Sequence, residues 1–172
     1  SLILTKECKK QTILKLGKTA FIDTWPRATD AFERAVEFFR NSYRIPVSQL
    51  LPYNTLLVSF AYFFFHHPDK PSAEQRPLLE DFFWRCSLGG RYSSSVASKL
   101  AQDVRRIDHL LKDKSPDYDW AVDISPDFLL ENGWFNAGRS SIKAILCLYA
   151  FHEPKSFNDD SIVSIRNYWL KQ

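Results

Sequence analysis

From Leu56 to Phe65 the chain reads LLVSFAYFFF, and a run so uniformly apolar has few places to go. A helix at a protein surface needs a polar side. One that is apolar all round has to be enclosed by other elements or by lipid. The wider stretch Leu50 to Phe65 is interrupted by Pro52, Asn54, Thr55 and Ser59, and it falls short of the roughly 20 residues that span a bilayer. It is therefore expected to be a buried core helix. Leu51-Pro52-Tyr53 opens it, and the proline-bounded loop His66-His67-Pro68-Asp69-Lys70-Pro71 closes it. The remaining segments must then wrap this hub. At 172 residues, 45% hydrophobic and 15% aromatic, there is enough apolar material for one packed domain.

The wrapping segments read as helices. Ser1 to Leu16 is weakly amphipathic, with Lys6, Lys9, Lys10 and Lys15 expected on a solvated face and Gly17 at its end. In the next, Thr24 is expected to cap and Pro26 to sit in the first turn, where its missing N–H costs nothing. Trp25, Ala28, Phe32, Ala35, Val36 and Phe39 draw its buried stripe, and Pro46 should end it near Tyr43 by biasing Ile45 away from helical geometry. A helix from Ala73 to Leu88 turns Leu78, Leu79, Phe82, Phe83 and Cys86 inward. It carries an Asp81–Arg85 pair outside and leaves Trp84 for a second partner surface. Gly89-Gly90 stops it, and Ser93-Ser94-Ser95 offers three N-cap candidates for a helix over about 95–112. Val96, Leu100, Val104, Ile107 and Leu111 form the apolar stripe there, with Lys99, Gln102, Arg105, Arg106 and His109 opposite.

Lys112 to Trp120 is a polar linker, and Pro126 to Glu131 a short helix. Asn136 to Phe151 is a last helix that should bury Ile142, Ile145, Leu146 and Tyr149. Ser161 to Leu170 is ambiguous between strand, helix and connector. The expectation is an all-α fold, a bundle of about six to seven helices with a short, extended C-terminal tail as one option. It divides into an N-terminal helix and linker (1–20), a helical core (24–152) and a lead-in (153–172) to a further C-terminal domain. The chain contains no methionine, which points to a piece of a longer protein.

Few chemistries fit. Cys8, Cys86 and Cys147 are widely spaced and odd in number, as expected of free thiols in a reducing cytoplasm. The adjacent His66 and His67 would point about 100° apart on a helix and have no spaced partner ligand, so no metal site is assigned and they are expected to answer the negative pole at the helix's carboxyl end. Phosphate-loop and G-x-S-x-G patterns do not occur, and no residue receives a catalytic role. Asp103 could act as an acid, yet its place between Lys99 and Arg106 favours a structural ion pair. The Gly-Gly-Arg-Tyr-Ser-Ser-Ser elbow can be read in two ways. Arg91, Ser93, Ser94 and Ser95, with Lys99, Arg105 and Arg106 on the following helix, could bind phosphate. Alternatively the serines cap the helix while Arg91 and Tyr92 lock the turn. The net charge of +3 permits nucleic-acid contact without requiring it.

LPYNTLLVSFAYFFFHHPDKP at 51–71, followed by FFWRCSLGGRYSSSVASKLAQDVRRIDHLL at 82–111, resembles the helical region of GmrSD-type restriction and phage-defence endonucleases. The resemblance runs from about Trp25 to the end of the chain. Its strongest words are the Leu-Pro-Tyr start and the Trp/Arg…Gly-Arg-Tyr-Ser-Ser-Ser…Asp block, and Tyr53, Trp84, Tyr92 and Asp103 are read as structural or interaction residues. Such proteins carry a ParB-like domain with an Asp-Gly-Gln-Gln-Arg motif for nucleotide hydrolysis on one side and a His-Asn-His nuclease domain on the other. Neither motif occurs in this chain. The resemblance thus implies a cytoplasmic, non-catalytic helical scaffold, with DNA and the two flanking domains as partners. Nucleotide and divalent metal would serve those other domains. The alternative is a protein–protein interaction or oligomerisation domain without a nucleic-acid role.

Overall fold

The computed structural model describes residues 1–45, 50–132 and 138–163, apart from the side chains of Leu129 and Asn132. Its elements are α1 (Leu2–Thr5), α2 (Lys10–Leu14), α3 (Lys18–Ser42), α4 (Thr55–His66), α5 (Gln75–Leu88), α6 (Val96–Leu110), α7 (Pro126–Asn132) and α8 (Ser140–Phe151). Among the described residues the only β pairing is one bridge, Lys155 to Ile162, so the fold is all-α. None of these helices is long and apolar enough to cross a membrane.

α4 takes the central place its composition demands. Leu56 and the whole run from Ser59 to Phe64 are buried, with α3 and α6 as the helices packed most extensively on it. Phe60 lies 4.6 Å, ring centre to ring centre, from Phe39 on α3 and 6.3 Å from Phe83 on α5. Tyr43 completes the cluster at 4.8 Å from Phe83. Such tilted and edge-on ring pairs add to the area they bury. The carboxyl end of α4 is met by cations from α3: Arg27 donates to the Phe65 carbonyl and Arg34 to the Pro68 carbonyl. That answers the negative pole of the helix, the part expected of His66 and His67. His66 instead packs against the Tyr62 ring, and His67 reaches the Lys70 carbonyl.

Several local expectations are corrected. The first segment is two short helices, because Lys6 turns left-handed (φ 54°) after Thr5. Lys6 is not a solvated ornament either. It pairs with Asp108, which also accepts a 2.8 Å bond from Tyr62 and so ties the amino end to α6 and α4. α3 begins at Lys18, with Gly17 at the cap and Pro26 inside the helix. Thr24 does not cap; its hydroxyl donates back to the Ala20 carbonyl at 2.7 Å. The buried stripe of α3 is Ala31, Ala35, Phe38 and Phe39, while Trp25 and Phe32 are exposed. Two of these four are alanines, on a helix that packs extensively against α4. At about 1.5 Å per residue, the 25-residue α3 also outruns the 12-residue α4, leaving its amino-terminal half uncovered.

α5 and α8 pack together. Trp84 belongs to that contact, half-buried and 4.8 Å from Phe83 and 5.9 Å from Phe151. On α8 the buried residues are Ile142, Ala144, Cys147 and Ala150, whereas Tyr149 faces out. On α6, Val96 is exposed and Leu110 rather than Leu111 is fully buried. Asn136, Trp134 and the tail beyond 163 lie outside the described residues.

Candidate functional site

The elbow between α5 and α6 forms for the reason its glycines imply. Gly89 caps α5 and Gly90 follows at φ 61°, a left-handed position that suits a residue without a side chain. The Arg91 amide then donates back to the Cys86 carbonyl at 3.2 Å, the six-to-one bond of a Schellman turn. Gly89 has a second duty. A Cβ there would lie 2.8 Å from the Trp120 indole and 2.7 Å from the Arg85 carbonyl. Its absence lets the indole N–H reach that carbonyl at 3.1 Å.

Arg91 emerges from this turn pointing inward. Its side chain is 5% exposed and that of Asp103 0%. Nε and Nη2 donate to the two carboxylate oxygens of Asp103 at 3.2 and 3.1 Å, and Nη2 also reaches Gln102 at 2.7 Å. Arg106, one turn along α6, donates to Asp103 at 2.8 Å and to Asp119 at 2.6 Å. Nη1 of Arg91 reaches Asp119 as well, at 3.4 Å. Trp120 closes the arrangement, with the Arg91 guanidinium 4.2 Å and the Arg106 guanidinium 5.0 Å from its ring centre. Two cations and two carboxylates thus meet with their charges balanced. A buried carboxylate is tolerated only when it is so paired.

Tyr92 points into the hub, where its hydroxyl and that of buried Ser59 lie 3.1 Å apart. Burial raises the Tyr92 phenol and the neighbouring Cys86 thiol well above their ordinary pKa values. Tyr53 stacks edge-on against Tyr92 at 5.8 Å. The Leu-Pro-Tyr start and the Gly-Arg-Tyr block are therefore one piece of architecture.

The sequence-derived phosphate set is divided by this arrangement. Arg91 and Arg106 are committed to carboxylates, and Asp103 has the structural pairing expected of it. Ser93, Ser94, Ser95 and Arg105 remain exposed, and Lys99 is half-buried with its amine 3.4 Å from the Ser94 hydroxyl. Ser95 does occupy the cap position of α6, but in a left-handed conformation (φ 51°) and without a side-chain cap bond. Sequence reasoning missed Asp119 and Trp120, which sit in what reads as a featureless polar linker. The only signal there is a tryptophan among polar residues, since a large apolar ring rarely stays in solvent. It also missed a cleft of about 570 Å³ beside the same turn, bordered by Tyr53, Gly89, Gly90, Phe128 and the start of α8.

No group of three or more acidic, histidine or cysteine side chains suited to a metal ion occurs among the described residues. In comparisons with known proteins, the chain matches no family model, no curated protein and no solved structure.

Proposed function

We propose that this chain is the helical scaffold domain of a GmrSD-like restriction or phage-defence nuclease, and that it touches DNA through the exposed edge of the elbow. One observation carries the scaffold reading. The words that convey the resemblance, Leu-Pro-Tyr and Gly-Arg-Tyr…Asp, are the residues that fasten the elbow: Tyr53 against Tyr92, Tyr92 to Ser59, and Arg91 to Asp103. A motif spent on fastening helices belongs to a frame whose chemistry sits in its neighbours. The DNA-contact part rests on Lys99 and Arg105 beside the hydroxyls of Ser93, Ser94 and Ser95, since Arg91 and Arg106 are held by carboxylates.

Fluorescence anisotropy with a labelled DNA duplex tests it. Phosphate contacts predict binding that weakens steeply as salt rises, by a slope of about 0.9 per contact. Lys99→Ala with Arg105→Ala should lower both affinity and slope without changing the melting temperature. Absence of binding at low salt would remove the DNA role and leave the scaffold.

A second reading has its own observation. On the free half of α3, Phe21 (46% exposed), Ile22 (54%) and Trp25 (55%) stand together, with the Phe21 and Trp25 rings 5.4 Å apart. Neighbouring exposed apolar groups of this size favour an association surface. If this reading holds, light scattering should find self-association that Trp25→Glu abolishes; a concentration-independent monomer would end it.

A further inference from the structure

One side of α3 is apolar and open. At about 100° per residue, Phe21, Ile22, Trp25 and Phe32 fall within an arc of about 100°, and all four are exposed. Lys18 stands in the same arc at the start of the helix. Thr29 lies there too, but its hydroxyl is returned to the Pro26 carbonyl at 2.8 Å, so its polarity is turned back on the helix. Asp23 and Asp30 fall on the far side, and Glu33 borders the arc. Only three residues separate α3 from Ile13 and Leu14 at the end of α2, which are exposed as well, Leu14 to 74%. Single apolar side chains at a surface are ordinary, whereas a group of them held this close marks a place of contact.

The charges among these side chains are of one sign. In a chain whose net charge is +3, the segment 9–22 alone holds four lysines and no carboxylate. Lys9, Lys10, Lys15 and Lys18 are all exposed, and none enters an ion pair among the described residues. Three kinds of partner can cover the apolar groups, and charge separates them. A second copy meeting this face with its own sets lysines against lysines, which opposes association. A nucleic-acid backbone answers the lysines and leaves Ile13, Leu14 and Ile22 in water. A bilayer with anionic headgroups answers both, since it takes apolar side chains at the edge of its acyl region and cations at its phosphates. We propose that this side of α2 and α3 docks on an anionic lipid surface. Leu14, Phe21, Ile22 and Trp25 enter the boundary of the acyl chains, where tryptophan is favoured, while the lysine stems lie along them and carry their amines to the headgroups. The DNA reading is independent of this, because it uses Lys99 and Arg105. The association reading gives the same face to a second copy, so the two occupants are scored apart.

Vesicle flotation with the 172-residue chain tests it, comparing phosphatidylcholine alone with equal parts of phosphatidylcholine and phosphatidylserine. The chain should float with the anionic vesicles and stay behind with the neutral ones, and added salt should weaken the attachment. Lys15→Gln with Lys18→Gln should lower the partition coefficient about ten-fold or more at low salt. Phe21→Ser with Trp25→Ser should lower it at least as much, by removing ring area that enters the lipid. Neither pair should move the melting temperature, because the side chains replaced are exposed. Should the ring variant disturb α3, Leu14→Ser, outside that helix, tests the apolar part with a smaller loss expected. The proposal is overturned if the chain does not float with anionic vesicles, if neutral vesicles hold it as well, or if both variant pairs leave the partition coefficient unchanged. Self-association that Trp25→Glu abolishes, in a chain that does not float, gives the face to a second copy instead.

Discussion

Two regions of this protein are buried for opposite reasons. Around Phe60 the interior is made of rings from α3, α4 and α5, whose attraction is non-directional and grows with the area they cover. Around Asp103 it is made of charges, where each bond has a required partner and direction. The first region can repack around an altered side chain. The second cannot, because losing one partner strands the other in a medium that solvates it poorly. The difference shows that comparable burial need not mean comparable tolerance.

The sharpest break of this contrast is Asp103→Ala. It leaves Arg91 and Arg106 facing each other with only Asp119 between them, and chemical denaturation should register a loss of about 3–5 kcal/mol. Adding Arg91→Met to it should recover part of that loss, since the stranded cation goes with its partner. A double mutant as unstable as the sum of the two singles would refute the coupling. Phe60→Leu keeps an apolar group in the ring cluster, and the same measurement should give about 1.5 kcal/mol or less. A cost matching that of Asp103→Ala would erase the contrast.

The Asp81–Arg85 pair lies within α5 alone and is well open to solvent, with the Nε to carboxylate distance 2.8 Å. Asp81→Ala should therefore lower the stability by only a few tenths of a kcal/mol. The smallest effect is expected from His66. Burial lowers its pKa, against a smaller upward pull from Asp108. The unfolded chain then takes up that proton first, so stability should decline as pH falls through about 6.5. His66→Gln should flatten that part of a stability-against-pH curve, and an unchanged curve would place the acid sensitivity elsewhere.

The stops of the chain were legible because they are local. Gly89-Gly90 ends α5, and α3 ends at Ser42 with Tyr43 as its cap, both where residue chemistry alone puts them. Pro26 misled because proline was taken as a start, although a long helix that is packed farther along can carry one within it. The stripe of α3 was misphased because Trp25 and Phe32 look more like core than Ala31 and Ala35 do. The face of α3 that is buried carries the alanines, while Trp25 and Phe32 fall on the open side.

By itself the sequence determined that the chain is helical, that the Leu56 to Phe65 segment lies inside, and that a turn falls at Gly89-Gly90. Periodicity, apolar length and glycine are properties of the chain close at hand. Only the tertiary structure decided which way Arg91 points, because the groups that hold it, Asp103, Asp119 and Trp120, lie 12 to 29 residues farther along. A helical wheel gives an angle around one axis. It does not say which distant side chain will arrive there, and for a charge that arrival separates a ligand-binding arginine from a buried fastener.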